Sequence, residues 1–142
     1  MSNFSERLSE LMFEKNLNAV SLGLAVGIEH STISGYLRGE GMPTLATLIV
    51  LADYFQCSTD FLLGLEENYP QTYRECPPFS ERIRVVLKAY GKSQYAVEKA
   101  CKISHSVFGY WVAGKTQPSP INLMKIAAYL GCTVDYLIGR TT

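Results

Sequence analysis

Hydrophobic residues recur along the chain with helical spacing, in short segments bounded by glycines and by residues typical of helix caps. Phe4, Leu8 and Leu11 fall on one face of a first helix, because residues three and four apart share a helix face. The Asn3-to-Glu6 spacing is that of a capping box with Asn3 as the cap. The pattern shows no alternation of apolar and polar residues typical of a strand. The sequence therefore predicts an all-α fold.

Two shorter helices follow, separated by very few residues. Asn18 is expected to cap the second helix, which carries Leu22 and Val26 inward. Gly27 makes the turn into a third helix, which stops at Gly39 as helices often stop at a glycine. So short a connection forces a sharp crossing of the two helices. The sequence thus predicts a helix-turn-helix.

A fourth and a fifth helix complete this pattern. Thr44 is the expected cap of the fourth helix, and Ser58 that of the fifth. Asp60 lies in the first turn of the fifth helix, where the helix dipole favours an acid. The residues of the fourth helix that point inward are expected to be Leu48, Leu51, Ala52 and Phe55.

The whole pattern occurs twice. Phe4-Ser5-Glu6-Arg7 recurs 75 residues later, and at that offset residues 4–65 align with 79–140 without a gap, with 17 identical pairs among 62. Such self-similarity indicates repeated structural units. We therefore predict two five-helix domains, 1–65 and 79–142. The segment between them, 66–78, has three prolines and reads as an irregular linker.

The outward face of the third helix carries small and polar residues in both copies. They are His30, Ser31, Ser34 and Gly35 in the first copy, and His105, Ser106, Gly109 and Tyr110 in the second. Small and polar side chains at a helix N-terminus permit close approach to base edges in a DNA major groove. The opposite face is apolar, with Ile33, Tyr36 and Leu37 in the first copy and Phe108, Trp111 and Val112 in the second.

The two histidines of the chain stand at equivalent positions, each followed by serine. They could be ordinary surface residues at a helix start, but the repeated His-Ser pair favours contact with bases or phosphates. Catalysis is the weakest interpretation, because no constant acid or cysteine partner accompanies them. We expect no enzyme activity, no metal and no cofactor.

Each copy resembles the phage-repressor/Cro helix-turn-helix family, also called the XRE family. The resemblance rests in the first copy on "LNAVSLGLAVGIEHSTISGYLRGEGMPTLATLIVLADYFQCSTDFLLG" and extends through both repeats. It implies two lambda-repressor-like domains in tandem, whose third helices face bases through the residues named above. It further implies a phosphate contact by Arg38 and a phosphate or base contact by Gln94, where the first copy has Ala19. Lys99 and Lys115 are either further phosphate contacts or merely solvated.

The sequence departs from that family at several positions. A Glu usually stands at Leu37 and Val112 and pairs with an Arg at Met12 and Leu87, but all four residues are apolar here. Replacing both partners of a buried ion pair is often neutral for stability, so the fold prediction stands. Lys102 replaces the turn glycine in the second copy, at a backbone cost if its φ is positive.

The zero net charge of the chain is a cancellation between its two halves. Residues 1–65 carry three Lys/Arg against seven Asp/Glu, a net charge of −4, and the linker carries −2. Residues 79–142 carry nine Lys/Arg against three acids, a net charge of +6. The second copy therefore has the positive balance of a DNA-binding protein and the first does not.

Three lysines of the second copy are replaced by apolar residues in the first. Lys88, Lys99 and Lys125 correspond to the interface candidates Phe13, Leu24 and Val50. In the family that each copy resembles, such helix positions usually face solvent, so apolar residues there suggest a surface covered by the other copy or by a second chain. The alternative is that they are isolated exposed apolar residues, which are ordinary.

Composition excludes other classes of protein. No apolar run approaches the length of about 18–20 residues that a membrane span needs. The polar start "MSNFSERLSE" lacks the layout of a secretory signal, so a cytoplasmic location is expected. Cys57, Cys76, Cys101 and Cys132 form no CxxC pair, which argues against a metal site or a disulfide framework.

Together these features predict a cytoplasmic, sequence-specific transcriptional regulator, a repressor, that binds double-stranded DNA. Two heads in one chain would act as a covalent counterpart of a repressor dimer on a pseudo-palindromic operator. The heads of such dimers lie about 34 Å apart, and an extended 13-residue linker reaches about 43 Å. The alternative is that only the second domain binds DNA. The acidic first domain would then mediate homodimerisation or bind a protein partner, in an antitoxin-like role for example.

Overall fold

The computed structural model describes residues 3–70 and 72–141, and it divides into two compact units, Met1–Gln71 and Thr72–Thr142. The first unit contains α1 (Phe4–Glu14), α2 (Ala19–Val26), α3 (His30–Leu37), α4 (Leu45–Phe55) and α5 (Thr59–Leu62). The second contains α6 (Phe79–Tyr90), α7 (Gln94–Cys101), α8 (His105–Val112), α9 (Pro120–Leu130) and α10 (Val134–Ile138). The described residues contain no strand. The prediction of an all-α fold with five helices in each repeat is confirmed.

Helix caps set the boundaries of these short helices, as predicted. The side chain of Asn3 accepts a hydrogen bond from the Glu6 amide, and Asn18 forms a reciprocal capping box with Ser21. The same role is filled by the side chains of Thr44, Ser58, Ser93, Ser119 and Thr133. Each such cap stabilises its helix by about 1 kcal/mol. Helices of only 4 to 12 residues depend on these caps and on packing.

Each unit has its own apolar core. In the first unit the fully buried side chains include Leu8, Leu22, Ile33, Leu48 and Leu51. In the second they include Ile83, Val97, Phe108, Leu123 and Leu137. The predicted core role of Trp111 is confirmed, since it is 2% exposed. The equivalent Tyr36 is only half-buried; it packs edge-on against Phe4, and burial raises the pKa of its hydroxyl.

A buried arginine joins the first and last helices of each unit. The Arg7 guanidinium donates to the backbone oxygens of Phe61 (2.9 Å) and Glu66 (3.0 Å) and lies 4.1 Å from the centre of the Phe61 ring. The equivalent Arg82 donates to the Tyr136 oxygen at 2.6 and 3.1 Å and lies 4.6 Å from the Tyr136 ring. Each arginine thus adds a side-chain donor to a carbonyl of the last helix, Phe61 or Tyr136, which also accepts from the amide of the glycine three residues later.

The second unit also contains a buried ion pair without a counterpart at the equivalent position of the first. Arg140 donates from its guanidinium to the Asp135 carboxylate at 3.1 Å, and both side chains are almost completely buried. The Arg140 guanidinium also lies 3.9 Å from the centre of the Tyr73 ring. The position equivalent to Arg140 is Leu65, which is half-exposed in the first unit.

The described residues between α5 and α6, 63–70 and 72–78, are irregular, and several of them pack against a unit. Glu67 pairs with Arg7 at 2.9 Å, and the Tyr69 ring lies 4.9 Å from the Phe61 ring of the first unit. In the second unit, the Arg74 amide donates to the Arg140 carbonyl at 3.0 Å. In the part of the chain that the structure describes, no helix is both long and apolar enough to cross a membrane.

Candidate nucleic-acid interface

The first unit builds its helix-turn-helix from α2, a two-residue connection after Gly27, and α3. Gly27 adopts a left-handed conformation with φ of 74°, as its predicted turn role requires. Gly23 permits a close approach within the motif, because a Cβ there would lie 2.5 Å from the Ile28 carbonyl oxygen. Ile33 anchors α3 in the core with no exposed surface. The buried side of α3 thus fixes which residues point outward.

The residues predicted to contact bases, called the reading residues below, lie in the first unit along the outer side of α3, the reading helix of that unit. His30 and Ser31 are exposed at its first turn, and Ser34 and Gly35 are half-exposed in its next turn. Among the described residues, no side chain forms a hydrogen bond with the His30 ring. This surface has the exposure and the small side chains that contact with base edges requires.

Arg38, the predicted phosphate contact, is paired with an acid of its own unit. Its Nε donates to Glu40 at 2.8 Å and its Nη2 at 3.0 Å, a two-bond fork between side chains that are each 58% exposed. The hydrogen bonds and charge of Arg38 lower the pKa of the Glu40 carboxyl. At the equivalent positions the second unit has Ala113 and Lys115. The net charge at this end of the reading helix is therefore near zero in the first unit and positive in the second.

The predicted phosphate contact of Arg38 implies that replacing Glu40 with glutamine will strengthen DNA binding by the full chain. The change releases Arg38 and removes a negative charge, so we expect the affinity to rise about three- to tenfold at low salt, with a salt slope steeper by about one. Fluorescence anisotropy over a salt series measures both quantities. Glu10→Gln is the matched control, since it removes an exposed acid from α1. An equal gain from the control would contradict a local role for the Arg38–Glu40 pair.

The second unit repeats the motif with α7 and α8. Lys102 occupies the turn with φ of 56°, so the predicted cost of a non-glycine residue in a left-handed conformation applies. His105 and Ser106 are exposed at the first turn of α8, Gly109 is half-exposed and Tyr110 is exposed. The structure thus places the predicted reading residues of both copies at equivalent sites.

The lysines predicted near DNA are exposed and lie beside aromatic rings. The Lys99 ammonium lies 5.7 Å from the centre of the Tyr95 ring, and the Lys115 ammonium lies 5.9 Å from that of Tyr110. Cation–π contacts of exposed lysines contribute only about 0.5–1 kcal/mol. Both ammonium groups therefore stay available to phosphates.

The second unit contains a cluster of three polar residues that was not predicted from the sequence. Glu98, 8% exposed in its side chain, accepts a hydrogen bond from the Gln94 amide at 2.8 Å. Its two carboxylate oxygens lie 3.0 and 3.2 Å from Nδ1 of His105. The spacing of Gln94 and Glu98, one helical turn apart, is the signal that could have suggested half of this cluster.

The three interface candidates of the first unit are exposed. Phe13 is 85% exposed, Leu24 is 83% exposed and Val50 is 42% exposed. Exposed apolar side chains of this size are individually common. The exposure of Phe13 and Leu24 stands out because the second unit has lysines at both positions.

The described residues contain no group of three His, Cys, Asp or Glu side chains suited to hold a metal ion. The cysteines form no disulfide within that part of the chain. Burial raises the pKa of the Cys101 thiol, which favours its neutral form at physiological pH.

Comparisons with known proteins agree with this geometry. A helix-turn-helix family model matches residues 9–62 and again residues 83–137. The HTH-type transcriptional regulator AnsR of Bacillus subtilis (strain 168) is 40% identical over 63 residues, which cover 44% of this chain and 54% of that protein. The chain thus spans about half the length of this relative. No solved structure matches significantly.

Proposed function

The chain belongs to the XRE-type helix-turn-helix family, with one copy of the motif in each unit, and on that premise we propose that it is a sequence-specific DNA-binding transcriptional regulator acting as a repressor. The observation that carries the proposal is the exposed His-Ser pair at the first turn of both α3 and α8. The likeness to a transcriptional regulator supports it. The proposed partner is double-stranded DNA, and the proposed activity needs neither catalysis nor a cofactor.

Both units act as reading heads in this proposal. Each inserts the first turn of its reading helix, α3 or α8, into a major groove, where His30-Ser31 or His105-Ser106 contacts base edges. Backbone phosphates are bound by exposed cations such as Lys99 and Lys115. Because the reading residues are alike, the operator is pseudo-palindromic, with half-sites one turn of DNA apart. Covalent linkage makes the second contact intramolecular, which raises affinity without new contacts.

A second candidate function follows from the differences between the units. Arg38 is paired with Glu40, residues 1–65 carry a net charge of −4, and Phe13 and Leu24 are largely exposed. These observations favour a division of labour in which only the second unit binds DNA. The first unit would then bind a second copy of the chain or another protein, as an antitoxin binds its toxin.

Introducing the two lysines of the second unit into the first, Phe13→Lys with Leu24→Lys, separates these functions. Added cations near DNA strengthen binding, so with two reading heads we expect a monomeric wild-type chain and about three- to tenfold tighter binding by the variant. Analytical ultracentrifugation and anisotropy measure the two quantities. A wild-type dimer that dissociates on this change, with no gain in DNA affinity, would support the second function instead.

Selection of DNA from a random pool by the full chain, at moderate salt, tests the function itself. We expect an enriched motif with two related half-sites whose centres are about 10 base pairs apart. A motif with a single half-site supports binding by the second unit alone. Failure to enrich any motif would reject sequence-specific recognition by this chain.

A further inference from the structure

Glu98 links the two helices of the motif in the second unit. It lies on α7, is nearly buried, and reaches Nδ1 of His105 on α8 at 3.0 Å, while Gln94 of α7 donates to it at 2.8 Å. The His105 side chain is itself 85% exposed. A buried acid therefore holds an exposed residue of the reading surface by one of its two ring nitrogens.

The chemistry of the carboxylate assigns hydrogen positions in this cluster. An ionised carboxylate only accepts hydrogen bonds, so Gln94 presents its amide nitrogen and His105 carries a proton on Nδ1. In the neutral ring Nε2 is then an acceptor directed away from Glu98, and in the protonated ring Nε2 is a donor. In both states Glu98 restricts the rotation of the ring and makes Nε2 the nitrogen that faces outward.

The first unit lacks both Glu98 and Gln94 at the equivalent positions. Gly23 and Ala19 stand where the second unit has Glu98 and Gln94. A side chain at Gly23 is obstructed from its first atom, because a Cβ there would lie 2.5 Å from the Ile28 carbonyl oxygen. His30 thus lacks the counterparts of Glu98 and Gln94. The two histidines share a helix position but differ in what orients them.

We propose that Glu98 is a specificity-determining positioning residue, which fixes the His105 ring so that the second unit reads its half-site more strictly than the first. This inference rests on the proposed DNA-binding function. Fixing the ring before binding lowers the entropy lost on binding and selects one hydrogen-bonding edge. The two half-sites of the operator then differ in stringency at the base opposite the histidine.

The charge of Glu98 gives the proposal a distinctive signature. A carboxylate close to the DNA surface repels phosphates, so Glu98 weakens binding to any sequence while it sharpens the choice between sequences. Removal of a residue with only a structural role would weaken both the binding to any sequence and the discrimination between sequences. Opposite effects on general affinity and on selectivity are therefore the expected mark of a positioning role.

Glu98→Ala in the full chain tests the proposal, because alanine removes both the charge and the oxygens that hold His105 Nδ1. Competition binding with the selected operator and its single-base variants should show affinity for unrelated DNA rising about two- to threefold. Discrimination at the base opposite His105 should fall about five- to tenfold. Glu81→Ala, which removes an exposed acid from α6, is the matched control and should change neither quantity. Unchanged discrimination in the Glu98 variant would overturn the proposal.

A double-mutant cycle shows whether Glu98 acts through His105. In the His105→Ala background, Glu98→Ala should leave base discrimination unchanged, because the residue that Glu98 positions is absent. A persistent change there would contradict the proposal. If no motif is selected by the wild-type chain, the DNA-binding function fails instead, so the two failures are distinguishable.

Nitrogen-15 NMR of the wild-type full chain provides a test that does not depend on a variant folding. In the neutral state, the His105 ring should carry its proton on Nδ1, whereas His30 should show the ordinary preference for Nε2. The ring-nitrogen chemical shifts report this difference directly. Predominant protonation of Nε2 at neutral His105 would overturn the proposal.

Discussion

Replacing His105 and Ser106 together with alanine will lower the affinity of the full chain for its operator by about 30- to 150-fold. Each side chain is expected to make a base contact whose loss costs about 1–1.5 kcal/mol. Affinity for unrelated DNA should stay within about twofold, because nonspecific binding depends on phosphate contacts. Both side chains are exposed, so the unit should remain folded. Anisotropy with operator and scrambled DNA measures the two affinities.

The matched variant is His30→Ala with Ser31→Ala in the first unit. With two reading heads we expect a loss of similar order, made smaller by the absence of a residue that orients His30. If only the second unit reads DNA, this variant should bind the operator as the wild type does. Complete loss of binding to unrelated DNA in either variant would indicate unfolding instead, which circular dichroism detects.

Replacing Arg140 with leucine, the residue found at the equivalent position 65, will lower the free energy of unfolding of the second unit by about 3–5 kcal/mol. Removing one partner of a buried ion pair takes from the other charge the ionic partner that offset its desolvation, a cost of this size. Here Asp135 would remain, with a side chain only 4% exposed. The change also removes the stacking of the guanidinium on Tyr73. It is the largest stability effect expected from a single substitution described here.

Trp111 makes the effect of Arg140→Leu measurable within one unit. It is the single tryptophan of the chain, is 2% exposed, and lies in the core of the second unit, so its fluorescence follows unfolding of that unit in urea. Lys88→Leu replaces an exposed cation of α6 and should change stability by no more than about 0.5 kcal/mol. Adding Asp135→Asn to Arg140→Leu should recover part of the loss. A loss below about 1 kcal/mol would contradict the importance assigned to the pair.

Much of the fold was predictable because its determinants are local. Caps such as Asn18 and Ser93 bond to amides three residues away, and the core residues follow the helical period. The repeat reinforced every boundary, because the same signal occurred twice at a fixed offset. The outward placement of His30 and His105 followed from the apolar faces of the helices that carry them.

The polar contacts that distinguish the two units were not predictable, since they depend on distance in space. His105 meets Glu98 across a turn, seven residues away, and nothing in the pattern fixes that approach. Arg38 had a phosphate as its expected partner, yet it folds back onto Glu40. Buried arginines such as Arg7 contradict the usual preference of charged residues for solvent. Their recurrence in the repeat was the available signal.

The contrast between Gly23 and Glu98 has an evolutionary consequence. In a repressor assembled from identical chains, any substitution in the reading surface appears in both heads, so both half-sites must change together. A gene that encodes two heads in tandem, as we propose for this chain, removes that coupling. One head can acquire an acid beside its histidine while the other keeps a glycine. In an operator for such a protein, one half-site can change its sequence while the other stays the same.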